Sequence, residues 1–156
     1  MFPLPHMDPC YFCELVAGSA AWSVVERTDL TITVLNSRQF EAGQCMVAPR
    51  RHAPTLLDLT DAEQAAIMGA ARRITSVFVT AYAPDGVLLY QNNGVGSGQE
   101  VPHFHMHVVP RRPDSDWGFG PPHIARLERS RPAHLDHSVV TDDKIRTAAL
   151  LREHIR

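Results

Sequence analysis

The sequence has no excess of positive charge, no long apolar run and no even set of cysteines, and each absence removes a class of function. Lysine and arginine together number 15 against 17 aspartates and glutamates, giving a net charge of −2 and a pI near 6.5. Nucleic acid as a polymer needs a basic face that neutralises many phosphates, and this composition supplies none. A small anionic ligand needs only a local pocket and stays open. No apolar stretch approaches the roughly 20 residues that cross a bilayer. The opening Met-Phe-Pro-Leu-Pro-His-Met-Asp-Pro also lacks the basic start and apolar segment of a secretory leader. The expectation is a cytoplasmic protein with no membrane partner. Cys10, Cys13 and Cys45 make an odd count, which in a reducing compartment argues for metal binding or plain burial over a disulfide framework.

What is present is an ordinary globular composition: 156 residues, 44% hydrophobic and 21% charged, enough for one domain with its own core. Residues 1–9, with three prolines, read as an extended arm. Cys10-Tyr-Phe-Cys13 then opens the domain, as a redox pair, half of a zinc site or two buried thiols. A short helical turn at 14–17 follows the motif. A thioredoxin-like pair would instead follow a strand, so zinc is the better reading if two more ligands exist.

Residues 22–26 and 30–35 are β-rich runs joined by the polar turn Arg27-Thr28-Asp29, which predicts a hairpin. A polar loop at 37–43 leads to a third strand at 44–49. Thr60-Asp-Ala-Glu63 is a capping box, in which the threonine hydroxyl and the glutamate carboxylate each take the other residue's backbone N–H. It predicts a helix of about twenty residues with an apolar stripe through Ala62, Ala66, Met68 or Gly69, Ile74, Val77 and Phe78. Arg72 and Arg73 point outward in this reading, and Pro84-Asp85-Gly86 stops the run. A fourth strand at 87–91 leads into the glycine-rich 92–98, read as a hairpin turn or a phosphate cradle of backbone N–H groups. A terminal helix is predicted from about Thr141, with Asp142 and Asp143 at its start and Arg152, His154 and Arg156 at its end. The order β-β-β-α-β-β makes an α+β fold: an antiparallel sheet of about five strands, one long helix, and a C-terminal extension over residues 112–156 that ends in a helix.

The most informative stretch is Gln99-Glu-Val-Pro-His-Phe-His-Met-His-Val-Val-Pro-Arg-Arg112. His103, His105 and His107 alternate there with Phe104, Met106 and Val108, the period of a half-buried strand. A strand sets its like-facing side chains roughly 6.5 to 7 Å apart, whereas a helix would scatter them. The apolar set faces a core and the histidines face a cleft. Like charges gather no stability when protonated, so the cluster points to chemistry or to a metal site.

The run His-Phe-His-Met-His-Val-Val, preceded by Gly98-Gln99, resembles the signature of the histidine triad (HIT) superfamily of nucleotide hydrolases and transferases. The resemblance extends from Cys10 to Arg111, making 10–111 a HIT domain behind the 1–9 arm. It implies a structural zinc held by Cys10, Cys13, His52 and His103, which takes no part in the chemical step. It implies His105 as the nucleophile that attacks the α-phosphorus and forms a nucleotidyl-histidine, with its Nδ1–H held by an acceptor such as a backbone carbonyl. His107 binds the phosphate and helps to protonate the leaving group. Asn92 and Gln99 fall at the family's phosphate-contacting positions and Asn36 at its ribose-binding one, while Phe12, Leu15, Val34 and Met46 match the walls of a base pocket.

The implied function is cleavage at the α-phosphate of nucleoside phosphoramidates or dinucleoside polyphosphates, with an AMP-like nucleotide as the small-molecule partner. Members form homodimers across the long helix and an edge strand. A zinc-stabilised nucleotide-binding module without turnover, a nucleotidyl transferase or phosphorylase, and a zinc hydrolase using all three histidines are the alternatives. Two positions depart from the family pattern. Glu100 replaces a serine or threonine near the leaving group, where a carboxylate repels phosphate unless it points away, and Gln44 stands where many members have histidine. Trp117-Gly-Phe-Gly-Pro-Pro resembles the tail by which some members reach the partner's active site.

Overall fold

Turn chemistry sets the order of the elements. The computed structural model describes residues 2–112 and 140–155. In it the strands β1 (Val24–Arg27), β2 (Thr31–Leu35), β3 (Cys45–Pro49), β4 (Gly86–Tyr90) and β5 (Met106–Arg111) form one sheet in the order β1-β2-β3-β5-β4. Every pairing is antiparallel. The β1–β2 hairpin turns on Thr28, whose hydroxyl takes the Thr31 backbone N–H at 2.9 Å. The predicted Trp117 segment and Arg156 lie outside the described residues.

Helix α1 (Tyr11–Ala17) lies on one face of the sheet and α2 (Asp61–Tyr82) on the other. The turn read at 14–17 begins earlier, since the Cys10 carbonyl already takes the Glu14 N–H at 3.0 Å. The Thr60–Glu63 capping box forms as the sequence predicts, in both directions. Arg51 reinforces it by pairing with the Glu63 carboxylate at 2.7 Å. The apolar stripe holds in the second half of the helix, where Ile74, Val77 and Phe78 are buried as predicted, and shifts in the first half, where Ile67, Ala70 and Ala71 are buried whereas Ala62 is exposed and Met68 is 52% exposed. Arg73 does not point outward either, because Glu26 of β1 holds its guanidinium at 2.6 and 2.8 Å.

Alternation along each strand divides the core. Leu35, Cys45, Val47, Phe104 and Val108 pack against α2, and Ile32, Val34, Met46 and Ala48 pack against Phe12 and Leu15 of α1. Each large side chain so buried stabilises the fold by about 1.5 to 3 kcal/mol. The terminal helix α3 (Asp142–His154) starts at its Thr141 cap, as predicted, and buries Ala148 and Leu151 in the α2-side core. Arg152 ties it to the sheet edge through the carbonyls of Trp22 and Val24.

The N-terminal arm folds back over the loop after β4. The Pro3 carbonyl takes the Val95 N–H at 2.9 Å, and Phe2 lies against Gly94. A Cβ at Gly94 would stand 2.7 Å from that of Phe2, on a backbone with φ +80°, so both space and conformation call for glycine there. Among the described residues no helix is long and apolar enough to cross a membrane.

Candidate active site

The histidines come together, but not along a strand as predicted. The β3–β5 ladder runs only from Cys45–Val108 to Val47–Met106, so β5 carries His107 alone. Upstream, the Phe104 N–H leaves the ladder for the Ala53 carbonyl at 2.6 Å. Side-chain alternation nonetheless persists through this extended segment. Phe104 and Val108 are buried on the α2 side, while the His103 and His105 rings lie 5.3 and 4.8 Å from the Phe12 ring on the α1 side.

His103 belongs to a different cluster from the other two. Cys10 and Cys13 from the start of α1, His52 just after β3, and His103 place their ligating atoms within 4.8 Å of one another. The buried His103 donates its Nε2–H to the Pro49 carbonyl at 2.9 Å. That leaves the Nδ1 lone pair facing the Cys10 and Cys13 sulfurs at 3.6 and 3.8 Å, and His52 Nδ1 lies 3.4 Å from the Cys13 sulfur. Two thiols and two imidazoles, one with its outer nitrogen held by a carbonyl, are a donor set that fits tetrahedral zinc. Burial, aided by the neighbouring Cys10 and Glu14, pushes the Cys13 thiol up to about 11. Burial, with His52, His105 and Arg51 nearby, pulls His103 down to about 4.

His105 donates its Nδ1–H to the His103 carbonyl at 2.8 Å, so its Nε2 carries a free lone pair. Phe12 stacks on its ring, and burial holds it below the usual histidine range. His107 pairs across the ladders with Met46 on one side and Tyr90 on the other. Its ring stacks on that of Tyr90 at 4.3 Å and 10°, and its Nδ1 lies 3.1 Å from the Gln44 Nε2. Burial first, and His105 second, hold it well below the usual range.

Both rings open into a cavity of about 520 Å³, whose wall includes Phe12, Asn36, Met46, Tyr90, Asn92 and Glu100. That volume suits a nucleotide-sized ligand. Asn36 is held by accepting the Arg38 N–H at 3.0 Å, and Asn92 approaches the Gly98 carbonyl at 3.4 Å. Gln99 does not line the cavity. It is buried, its Nε2 donating to the Pro54 and Val101 carbonyls and its Oε1 accepting from Gly94.

Most of the N–H groups from Gly94 to Gln99 are already occupied and do not form a phosphate cradle. The N–H groups of Gly94, Val95, Ser97, Gly98 and Gln99 are all taken by acceptors in the loop or the arm. Glu100 is paired at 2.8 Å with Arg38, which lines the same cavity. Sequence reasoning singled out neither Arg38 nor Tyr90. Only the β4–β5 register brings Tyr90 to His107, and nothing local to either residue signals it.

A family model described as the HIT domain matches residues 18–114. The chain is 30% identical over 111 residues to an adenosine 5'-monophosphoramidase of Schizosaccharomyces pombe, covering 71% of this chain and 80% of the relative. It is 31% identical over 102 residues to an asymmetrical bis(5'-nucleosyl)-tetraphosphatase of the same organism, covering 65% of this chain and 54% of that longer protein. Among solved structures, a zinc-bound histidine triad family protein from Mycobacterium smegmatis superposes with a TM-score of 0.74 at 25% identity, covering 94% of this chain and 93% of that one.

Proposed function

Because the chain belongs to the HIT family, we propose that it is a nucleotide hydrolase that cleaves at the α-phosphate of an AMP-like conjugate through a covalent intermediate on His105. The observation that carries this reading is the His105 hydrogen bond to the His103 carbonyl. It puts the proton on Nδ1 and frees Nε2 toward the cavity, as a nucleophile requires. The Nε2–phosphorus bond forms as the bond to the leaving group breaks, and the leaving group departs with the electron pair. Water then adds its hydroxyl to phosphorus, gives its other proton to solvent, and releases the nucleotide and neutral His105. His107 and Asn92 contact the phosphate, and Asn36 the ribose. Phe12 and Met46, apolar and on the same wall, flank the base. Gln99 supports the loop that carries Glu100.

Cys10, Cys13, His52 and His103 would hold a structural zinc, whose contribution is to fix α1 to the histidine segment. A homodimer through the exposed Met68 and Val79 of α2 and Leu89 of edge strand β4 accords with their 52%, 61% and 40% exposure. The test is AMP release from a panel of adenosine phosphoramidates and dinucleoside polyphosphates by wild type and His105→Ala. Turnover by wild type alone is expected. A folded, zinc-loaded His105→Ala that still turns over would contradict the reading.

A further inference from the structure

Gln44, fully buried just before β3, decides which proton His107 carries. Its Oε1 accepts the Phe40 backbone N–H at 2.8 Å. A backbone N–H can only donate, so this contact fixes the oxygen end of the amide. The nitrogen end is then the one 3.1 Å from His107 Nδ1. An amide NH₂ offers protons and no lone pair, so Nδ1 must accept and carries no proton. Tyr90, stacked on the ring at 4.3 Å, holds it in that orientation. His107 is thus a neutral imidazole whose one proton sits on Nε2.

We propose that Gln44 is a positioning residue that denies His107 the part of general acid and so restricts the enzyme to leaving groups that depart as anions, the phosphate chain of a nucleoside polyphosphate and not an alkylamine. The proposal rests on the reading of His105 as nucleophile. Surrendering the Nε2 proton would leave an imidazolate, which is out of reach near neutral pH. His107 therefore gives a hydrogen bond to the phosphate and keeps its proton, in place of the proton transfer that the family resemblance implies. In an anhydride the phosphorus–oxygen bond breaks, the electron pair stays on the bridging oxygen, and the departing phosphate chain is stable as the anion. An alkylamine leaves only if its nitrogen gains a proton as the phosphorus–nitrogen bond breaks, and this site supplies none.

The experiment uses the full zinc-loaded chain and two independent readouts. The first is kcat/KM for diadenosine tetraphosphate, an adenosine N-alkyl phosphoramidate and a series of adenosine 5'-aryl phosphates with phenols of graded pKa. Wild type is expected to slow steeply as leaving-group pKa rises, with the alkyl phosphoramidate behind the tetraphosphate by about 100-fold or more, the usual scale of general acid catalysis. Gln44→Glu, whose carboxylate can accept a hydrogen bond from a protonated Nδ1 and so let His107 hold two protons, should flatten that dependence and close the gap by about tenfold or more. A flat dependence in wild type, or an alkyl phosphoramidate turned over as fast as the tetraphosphate, overturns the proposal.

The second readout is the histidine ¹⁵N spectrum, with His107 assigned by its loss in His107→Gln. An unprotonated Nδ1 on His107 at neutral pH is expected, and Gln44→Met should release it. A protonated Nδ1 overturns the proposal even in a protein that turns over nothing. The expected tautomer without turnover of any substrate would instead defeat the reading of His105, and with it the substrate restriction, while the lock on His107 stands.

Discussion

His105 and His107 meet edge to face, ring centroids 4.9 Å apart and planes at 73°, yet they hold their single protons on opposite nitrogens. The His103 carbonyl fixes the proton of one at Nδ1, and the Gln44 amide fixes the proton of the other at Nε2. The pair thus presents one lone pair and one donor to the same cavity.

Both rings stay neutral because burial opposes their charge, and His105 further disfavours a proton on His107. A lowered histidine pKa keeps the neutral form populated to lower pH. The rate of wild type should therefore stay level as pH falls through 6.5, with its acid limb below that value. A pH profile of kcat on an anhydride substrate checks this, and a limb at or above 6.5 would contradict it.

His103 joins the two clusters: its ring faces the cysteines and its carbonyl holds His105. Loss of zinc should consequently lower stability more than it lowers catalysis. A ligand bound only by the folded state at about a thousand times its Kd stabilises by about 4 kcal/mol. Chelation or Cys13→Ser should lower the melting midpoint by several degrees, while kcat below that midpoint falls less than about tenfold, one factor of ten being 1.36 kcal/mol of barrier. Equal loss of both would show that the metal supports the chemistry itself.

The Arg38–Glu100 pair sits at the cavity with its side chains 44% and 58% exposed. Exposed pairs are worth about 0.2 to 1 kcal/mol, so a polyphosphate can draw Arg38 away at small cost. Glu100→Ser should free Arg38 and lower KM for diadenosine tetraphosphate by about two- to fivefold, and Arg38→Ala should raise it by a similar factor. Steady-state kinetics at low and high salt measures both, and insensitivity to either change would exclude the pair from substrate binding.

Much of this was legible in the sequence because it is local. The Thr60–Glu63 box, the period of two through His103, His105 and His107, and the Cys10-x-x-Cys13 spacing each lie within a few residues. What escaped depends on contacts distant in sequence. β5 starts only at Met106 because the Phe104 N–H goes to Ala53. The glycine loop does not offer the N–H groups of Gly94, Val95, Ser97, Gly98 and Gln99 as a cradle, because the arm, the Gln99 side chain and the loop's own Gly94 and Val95 carbonyls take them. Met68 falls outside the α2 stripe because the sheet selects the face through Ile67 and Ala71. Gln44 and His107 are 63 residues apart, and only the β3–β5 pairing brings them together.

The central claim is the covalent bond at His105. The measurement is intact mass of the protein quenched during turnover of diadenosine tetraphosphate, for wild type and His105→Ala together. An adduct of AMP mass on wild type, mapped to His105 and absent from the mutant, is the predicted result. Turnover by wild type with no adduct at any quench time, accompanied by a folded His105→Ala that retains activity, would contradict it.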